Sequence, residues 1–313
     1  MQFVFSCPFC FLRKGYKVYG IRYMAFLYSL ILLSLIPYPS IAQLPACDIW
    51  LLDIKDSAGK ISFHNPVNIT NMKGFDSQYD NQPAFSPDGK YLLYSSQRDS
   101  GGATDIYKYD LLTKQTTQFT TTPTSEYSPT FTPDGKYISV VMVEKDSAQR
   151  LWKFPLAGGE PTCIMKNVDS IGYHCWINND SIAIFVLTKP SFTLQIVNIN
   201  SQKLKIIADS IGRCMRMRDG NLWFTTKAGH FNNVYEYSLK SKTAYIKGMI
   251  ESEDYCFYKN EIWSCSDNTI ISGYMNSKSG ATEIVNTWAV GILKSTRITI
   301  SPDGKKLAVV SNK

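Results

Sequence analysis

The stretch FSPDGKYLLYSS, from Phe85 to Ser96, returns as FTPDGKYISVVM from Phe131 and as ISPDGKKLAVVS from Ile300. Pro-Asp-Gly between two β-branched or aromatic runs is a hairpin signal, because Asp and Gly supply the turn while the flanks alternate as strands do. Repetition at a near-fixed period constrains a fold more than any single motif, since each repeat is one supersecondary unit that stacks on the next. Weaker copies of the turn lie at Asn179 (CWINNDSIAIFV), Asp219 (MRMRDGNLWFTT) and Asn260 (CFYKNEIWSCS). The anchors Asp88, Asp134, Asn179, Asp219, Asn260 and Asp303 are spaced by 40 to 46 residues.

Each unit continues with a third strand, as in DIYKYDL from Asp105, RLWKFPL from Arg150, TLQIVNI from Thr193 and NVYEYSL from Asn233. A fourth follows, as in TTQFTT, PTCIMK, LKIIAD and TAYIKG. Four short strands per 40 to 45 residues is a propeller-blade signature. The ends of the chain are complementary. DIWLLDI from Asp48 and PVNITN from Pro66 read as a third and fourth strand, while TRITISP and KKLAVVS near the C-terminus read as a first and second. The sequence therefore predicts an all-β chain, a six-bladed β-propeller with four antiparallel strands per blade, closed by a blade shared between N- and C-terminal strands.

The unit PAFSPDGKYLLYSS…DIYKYDL…TTQFTT resembles the WD-like repeat in the propeller domain of TolB, the periplasmic protein of the Tol-Pal envelope system, and of many exported bacterial propellers. The resemblance runs from residue 48 to 313, is strong at Asp88, Asp134 and Asp303, and is faint in the three middle units, where no proline precedes the turn. It implies an exported architecture of this kind. It does not extend to a Tol-Pal role, because the α/β domain that precedes the TolB propeller is not expected here.

Residues 1–42 hold Arg13, Lys14, Lys17 and Arg22, no acidic residue, then MAFLYSLILLSLI and a small-residue site at Ser40-Ile41-Ala42. They read as a signal peptide, leaving residues 43–313 as the propeller domain in the periplasm or cell envelope. A retained N-terminal anchor and a start at Met24 are the alternatives. Removing the leader lowers the formal net charge from +7 to +3, so no basic stripe for nucleic acid remains. Cys7 and Cys10 leave with it. Cys47, Cys163, Cys175, Cys214, Cys256 and Cys265 show no metal-ligand spacing and are expected as buried thiols, although export permits disulfides. LPAC ending at Cys47 also resembles a lipoprotein box, which would make Cys47 a lipidation site and the only source of membrane contact.

Asp88-Gly89, Asp134-Gly135, Asp219-Gly220 and Asp303-Gly304 are expected as structural turns rather than as acid-base pairs. Trp50, Trp152, Trp176, Trp223, Trp263 and Trp288 fall about one to a unit and are expected between blades. The histidines are His64, read in the turn between a third and a fourth strand, and His174 and His230, read in loops on the opposite face. No metal site or cofactor is expected, and no nucleophile elbow, H-E-x-x-H or phosphate loop occurs. Loops from fourth to first strands should surround the central channel. They are expected to carry Tyr79, Asp80, Gln82, Glu126, Tyr127, Tyr173, His174, Arg213, Arg216, Glu253, Asp254, Tyr255 and Arg297, a mixture of acids, arginines and tyrosines suited to binding a peptide or polar ligand. The expected function is a monomeric, non-catalytic scaffold for another envelope protein or a peptide. The alternative is a lyase or hydrolase for a saccharide or small polar substrate at the channel mouth, pairing Glu126 or Asp254 with His174 or Arg213.

Overall fold

Three turns show how local chemistry sets the hairpins. Ser86 Oγ donates to Asp88 Oδ1 at 2.7 Å, Thr132 Oγ1 to Asp134 Oδ1 at 2.5 Å, and Ser301 Oγ to Asp303 Oδ1 at 2.6 Å. The same carboxylate oxygens accept the backbone N–H of Lys90, Lys136 and Lys305. Gly89, Gly135 and Gly304 hold φ of 70°, 67° and 69°, the left-handed conformation that glycine takes without strain. In the computed structural model, residues 44–71, 79–98, 102–267, 269–274, 282–286, 292 and 294–313 are described. The expected leader, with Cys7, Cys10 and Met24, and Trp288 lie outside them.

Every regular element among the described residues is a strand. The first sheet takes β1 (Cys47–Ser57), β2 (Lys60–Asn68), β3 (Tyr79–Phe85), β4 (Tyr91–Gln97), β5 (Asp105–Asp110) and β6 (Thr116–Gln118). A second comprises β7 (Ser125–Phe131), β8 (Tyr137–Val143), β9 (Gln149–Pro155) and β10 (Thr162–Met165), and a third comprises β11 (Ile171–Asn178), β12 (Ser181–Val186), β13 (Thr193–Asn198) and β14 (Leu204–Asp209). A fourth is built of β15 (Ile211–Arg218), β16 (Asn221–Ala228), β17 (Phe231–Ser238) and β18 (Thr243–Ile250). A fifth follows with β19 (Tyr255–Tyr258), β20 (Glu261–Ser266), β21 (Thr269–Tyr274) and β22 (Thr282–Asn286). Finally β23 (Ser295–Ile300) and β24 (Lys306–Asn312) return to the first sheet, where β24 pairs antiparallel with β1 from Cys47↔Asn312 to Asp53↔Lys306.

The expectation of six separate blades is corrected by this pairing. Among the described residues the strands form five sheets, four of four strands and one of eight, in the order β23-β24-β1-β3-β4-β5-β6 with β2 on β1. The joint is a parallel pairing of Cys47 with Tyr79. It forms because the Cys47 thiol is fully buried against β3, donating to the Asp80 carbonyl at 3.2 Å and accepting from Asn81 Nδ2 at 3.5 Å. His64 is a second correction. The turn is at Ala58-Gly59, and His64 lies inside β2 opposite Asp53, bonded to Ser62 Oγ at 3.0 Å. The expected apolar runs are strands buried on both faces. On β12, Ile182 and Ile184 pack against Val141, Leu151 and Met165 of the second sheet, while Ala183 and Phe185 pack against Ile211, Met215 and Phe224 of the fourth.

The same alternation carries packing from sheet to sheet. Leu93 and Ile106 meet Ile138 and Val140, Cys214 and Trp223 meet Tyr255 and Ile262, and Trp263, Cys265 and Ile270 meet Leu52, Ile298, Leu307 and Val309. Trp176, Trp223 and Trp263 are buried in these seams, and Trp50 and Trp152 pack against their margins. All six described cysteines are free thiols. Outer strands face water, leaving Leu204 and Ile206 on β14 and Tyr245, Ile246 and Met249 on β18 exposed. Leu307→Ala, which empties a fully buried position in the closing strand, should cost about 2–5 kcal/mol in a urea unfolding titration. Leu204→Ala, at a side chain 51% exposed, should stay within about 0.5 kcal/mol of the parent.

Candidate functional site

Strands β3, β7, β11, β15 and β23, with the segment ahead of β19, line a central cavity of about 80 Å³. Its wall takes Gln82 to Ala84 from β3, Ser128 to Thr130 from β7, Tyr173 and His174 from β11, Arg213 to Arg216 from β15, Asp254 ahead of β19, and Arg297 and Ile298 from β23. Most of the residues expected in channel loops thus sit inside strands; of the thirteen, only Glu253 and Asp254 lie outside them. The physical reason is bulging. Register shifts fall between Asn81 and Ala84, Tyr127 and Thr130, Ile171 and Tyr173, Ile211 and Met215, and Ser295 and Arg297, which turn polar side chains of inner strands into the channel. On a regular strand Arg213 and Arg216 would face opposite ways. Gly212 lets the β15 bulge lie against β16, for a Cβ there would collide with Thr225 Oγ1.

Asp254 organises the charges. Arg213 Nε donates to its Oδ2, Arg297 Nη1 lies 3.6 Å from its Oδ1, and Arg213 Nη2 also reaches the Thr296 carbonyl at 3.1 Å. Arg297 Nη2 donates to the Tyr173 hydroxyl at 2.8 Å. Burial alone would raise the Asp254 carboxyl, but Arg297 and Arg213 outweigh it and hold it below the usual carboxylate range. Three arginines and one carboxylate leave the lining with two excess positive charges.

His174 is held neutral. Burial pushes its imidazole down to about 3. Ser139 Oγ donates to the Thr130 carbonyl at 3.1 Å, accepts from Trp176 Nε1 at 2.8 Å, and lies 2.7 Å from His174 Nε2. All three bonds form together only if His174 Nε2 carries the proton and donates to Ser139, which leaves Nδ1 as an acceptor. Gln82 and Ser128, with φ of 60° and 55°, each precede a proline, and Gln82 Oε1 accepts from Ser128 N at 2.7 Å and Ser95 Oγ at 2.9 Å. Strained backbone of this kind persists only where its surroundings hold it.

The cavity gathers Gln82, Tyr173, His174, Arg213, Arg216, Asp254 and Arg297. The other expected residues go elsewhere. Tyr79 packs edge-on against Tyr127, Glu253 pairs with Lys227, and Tyr255 is buried between the fourth and fifth sheets. Asp80 is buried 3.7 Å from Arg98, and burial pushes it up to about 6. Glu126, bonded by Thr122 and Thr120, is pushed up to about 7 by burial. The proposed Glu126–His174 pair does not form, since Glu126 is not in the cavity wall. Ser128 was absent from the expected set; its signal is the Tyr-Ser-Pro at the place where β3 carries Asn-Gln-Pro.

Two substitutions test these electrostatics. Asp254→Asn leaves Arg213 and Arg297 without their counter-charge and should cost about 3–5 kcal/mol at pH 7, read by chemical unfolding. Glu126 has its folded pKa raised, so its contribution is fully present below the unfolded value of 4.5 and is lost as pH rises through about 7. Glu126→Gln should therefore be more stable than the parent at pH 8 by roughly 3 kcal/mol, with the gap closing below about pH 5.

No protein-family model matches the chain. A stretch of 67 residues is 37% identical to the Tol-Pal system protein TolB of Francisella tularensis subsp. mediasiatica, covering 21% of this chain and 15% of that protein. A 70-residue stretch is 39% identical to dipeptidyl-peptidase 5 of Porphyromonas endodontalis, covering 20% of this chain and 10% of that one. The matched stretches thus span only a small part of these relatives. The solved structure of a TolB from Agrobacterium tumefaciens superposes with a TM-score of 0.63 at 15% identity, over 86% of this chain and 99% of that one. The chain has a distant, partial resemblance to TolB and shares a propeller-like fold with that solved structure, while a short stretch also resembles a peptidase.

Proposed function

We propose that the protein is an exported, monomeric binding module that holds another envelope protein or a peptide at the mouth of its central cavity and performs no chemistry on it. The observation that carries this reading is the state of the cavity's acid-base groups. Asp254 is kept ionised between arginines, which makes it a poor proton acceptor, and His174 is kept neutral with its Nε2 committed to Ser139. General acid-base catalysis works best with a pKa near the operating pH, and neither group is tuned that way. Polar side chains on rigid strands, with two uncompensated positive charges, suit recognition of an anionic partner at low ordering cost.

The WD-like, TolB-like repeat is the architecture this reading adopts, with a leader over residues 1–42 and the domain over 43–313. The match to a Tol-Pal system protein supports placement in the periplasm or envelope. A lipid on Cys47 is not part of it, because that thiol is fully buried and bonded to the Asp80 carbonyl. An enzyme is the second reading, and one observation favours it: Asp254, His174 and three arginines do share a cavity.

Arg216→Gln removes a cavity charge that makes no ion pair among the described residues, so the fold should survive, as circular dichroism can verify. Capture from an envelope extract of the native host should retain a partner on the parent protein and at least fivefold less on Arg216→Gln. Identical partners on both would place recognition elsewhere. Turnover of a captured saccharide or peptide would favour the enzyme.

A further inference from the structure

The cavity leaves three groups with unused hydrogen-bonding capacity. Arg213 and Arg297 are occupied by Asp254, whereas Arg216 has a single bond, from Nη1 to the Met215 carbonyl at 3.5 Å, and no carboxylate within ion-pair distance among the described residues. Ser128 Oγ and His174 Nδ1 have no partner among the described residues, although Ser128 is 9% exposed and His174 8%. Buried polar atoms without a partner are costly, so two of them around one small cavity, beside a guanidinium with no ion pair among the described residues, mark a place built for something that bonds to them.

Their chemistry is mixed in an informative way. Arg216 offers a planar fork of donors and Ser128 a hydroxyl donor, which together suit a carboxylate. His174 Nδ1 offers the opposite, a lone pair that asks for an N–H. A simple anion leaves that lone pair unanswered. A chain-terminal carboxylate answers both, because its own residue's amide N–H lies one carbon away from the carboxyl carbon. An aspartate side chain places its N–H one carbon further away, and a glutamate side chain two. Size agrees: a cavity of about 80 Å³ is narrow, so the end of a chain can enter it while the rest of the partner stays outside.

We infer that the central cavity captures the C-terminal residue of a peptide or protein partner, its carboxylate on Arg216 and Ser128 and its amide N–H on His174 Nδ1. This deepens the binding-module reading and rests on it. Capture of a chain terminus makes the site indifferent to most of the partner's sequence and selective for a free end.

Small probes isolate each contact in isothermal titration calorimetry of the whole protein. N-acetylglycine carries both the carboxylate and the N–H, N-acetylglycinamide lacks the carboxylate, N-acetylsarcosine lacks the N–H, and acetate and inorganic phosphate are anions alone. N-acetylglycine should bind at least tenfold more tightly than each of the others, and Arg216→Gln should remove that advantage. Equal binding by N-acetylglycine and N-acetylsarcosine, tightest binding by phosphate, or no N-acetylglycine binding at millimolar concentration would each overturn the inference. A peptide with an internal aspartate and an amidated end that competes as well as one with a free end would overturn it in favour of side-chain recognition. Should these probes fail while Arg216→Gln still loses its captured partner, the binding-module reading stands and only terminal capture falls.

Discussion

The antiparallel pairing of β1 with β24 is the constraint on which the remaining structure rests. It joins Lys306 to Asp53 across 253 residues of chain and sets β23 beside the fifth sheet, where Trp263, Cys265 and Ile270 meet Ile298, Leu307 and Val309. Without it the seams between sheets would end in two open apolar faces. With it, Arg297 on β23 comes within reach of Asp254 and Tyr173, so the charge cluster in the cavity is itself a product of closure. Strand pairing thereby fixes both the outer edges of the fold and the composition of its centre.

Packing and polarity are divided by strand position. Middle strands such as β8, β12 and β16 bury both faces, so their sequences read as continuous apolar runs. Inner strands cannot do the same, because their exposed ends converge where little volume is left. They carry bulges, and the bulges turn arginines, hydroxyls and an imidazole toward one another. Closely spaced positive charge in that volume is tolerable only because Asp254 neutralises part of it.

The hairpins were legible in the sequence because Pro-Asp-Gly turns are local: Asp88, Asp134 and Asp303 bond within a few residues of themselves. The complementarity of the two chain ends was legible too, since the missing strands at one end match those at the other. The merging of sheets was not, as it depends on how closely Cys47 approaches Asp80, a contact between residues with no repeating pattern. The same limit applies to the cavity. Composition picked out Tyr173, His174, Arg213, Arg216, Asp254 and Arg297, yet it also gathered Asp80, Glu126 and Tyr255, which the pleat and the bulges turn into the core instead. Ser128 escaped notice because a serine before a proline looks like ordinary turn chemistry, and its left-handed backbone is visible only in the folded chain.

Trp176 connects one of those seams to the cavity. Its indole N–H is bonded to Ser139 Oγ, and that oxygen also takes the bond from His174. A change in hydrogen bonding at the far nitrogen of His174 would alter the polarisation of the imidazole, and through Ser139 the environment of the indole. The protein thus carries an intrinsic fluorophore, one of its six tryptophans, two hydrogen bonds from its central cavity.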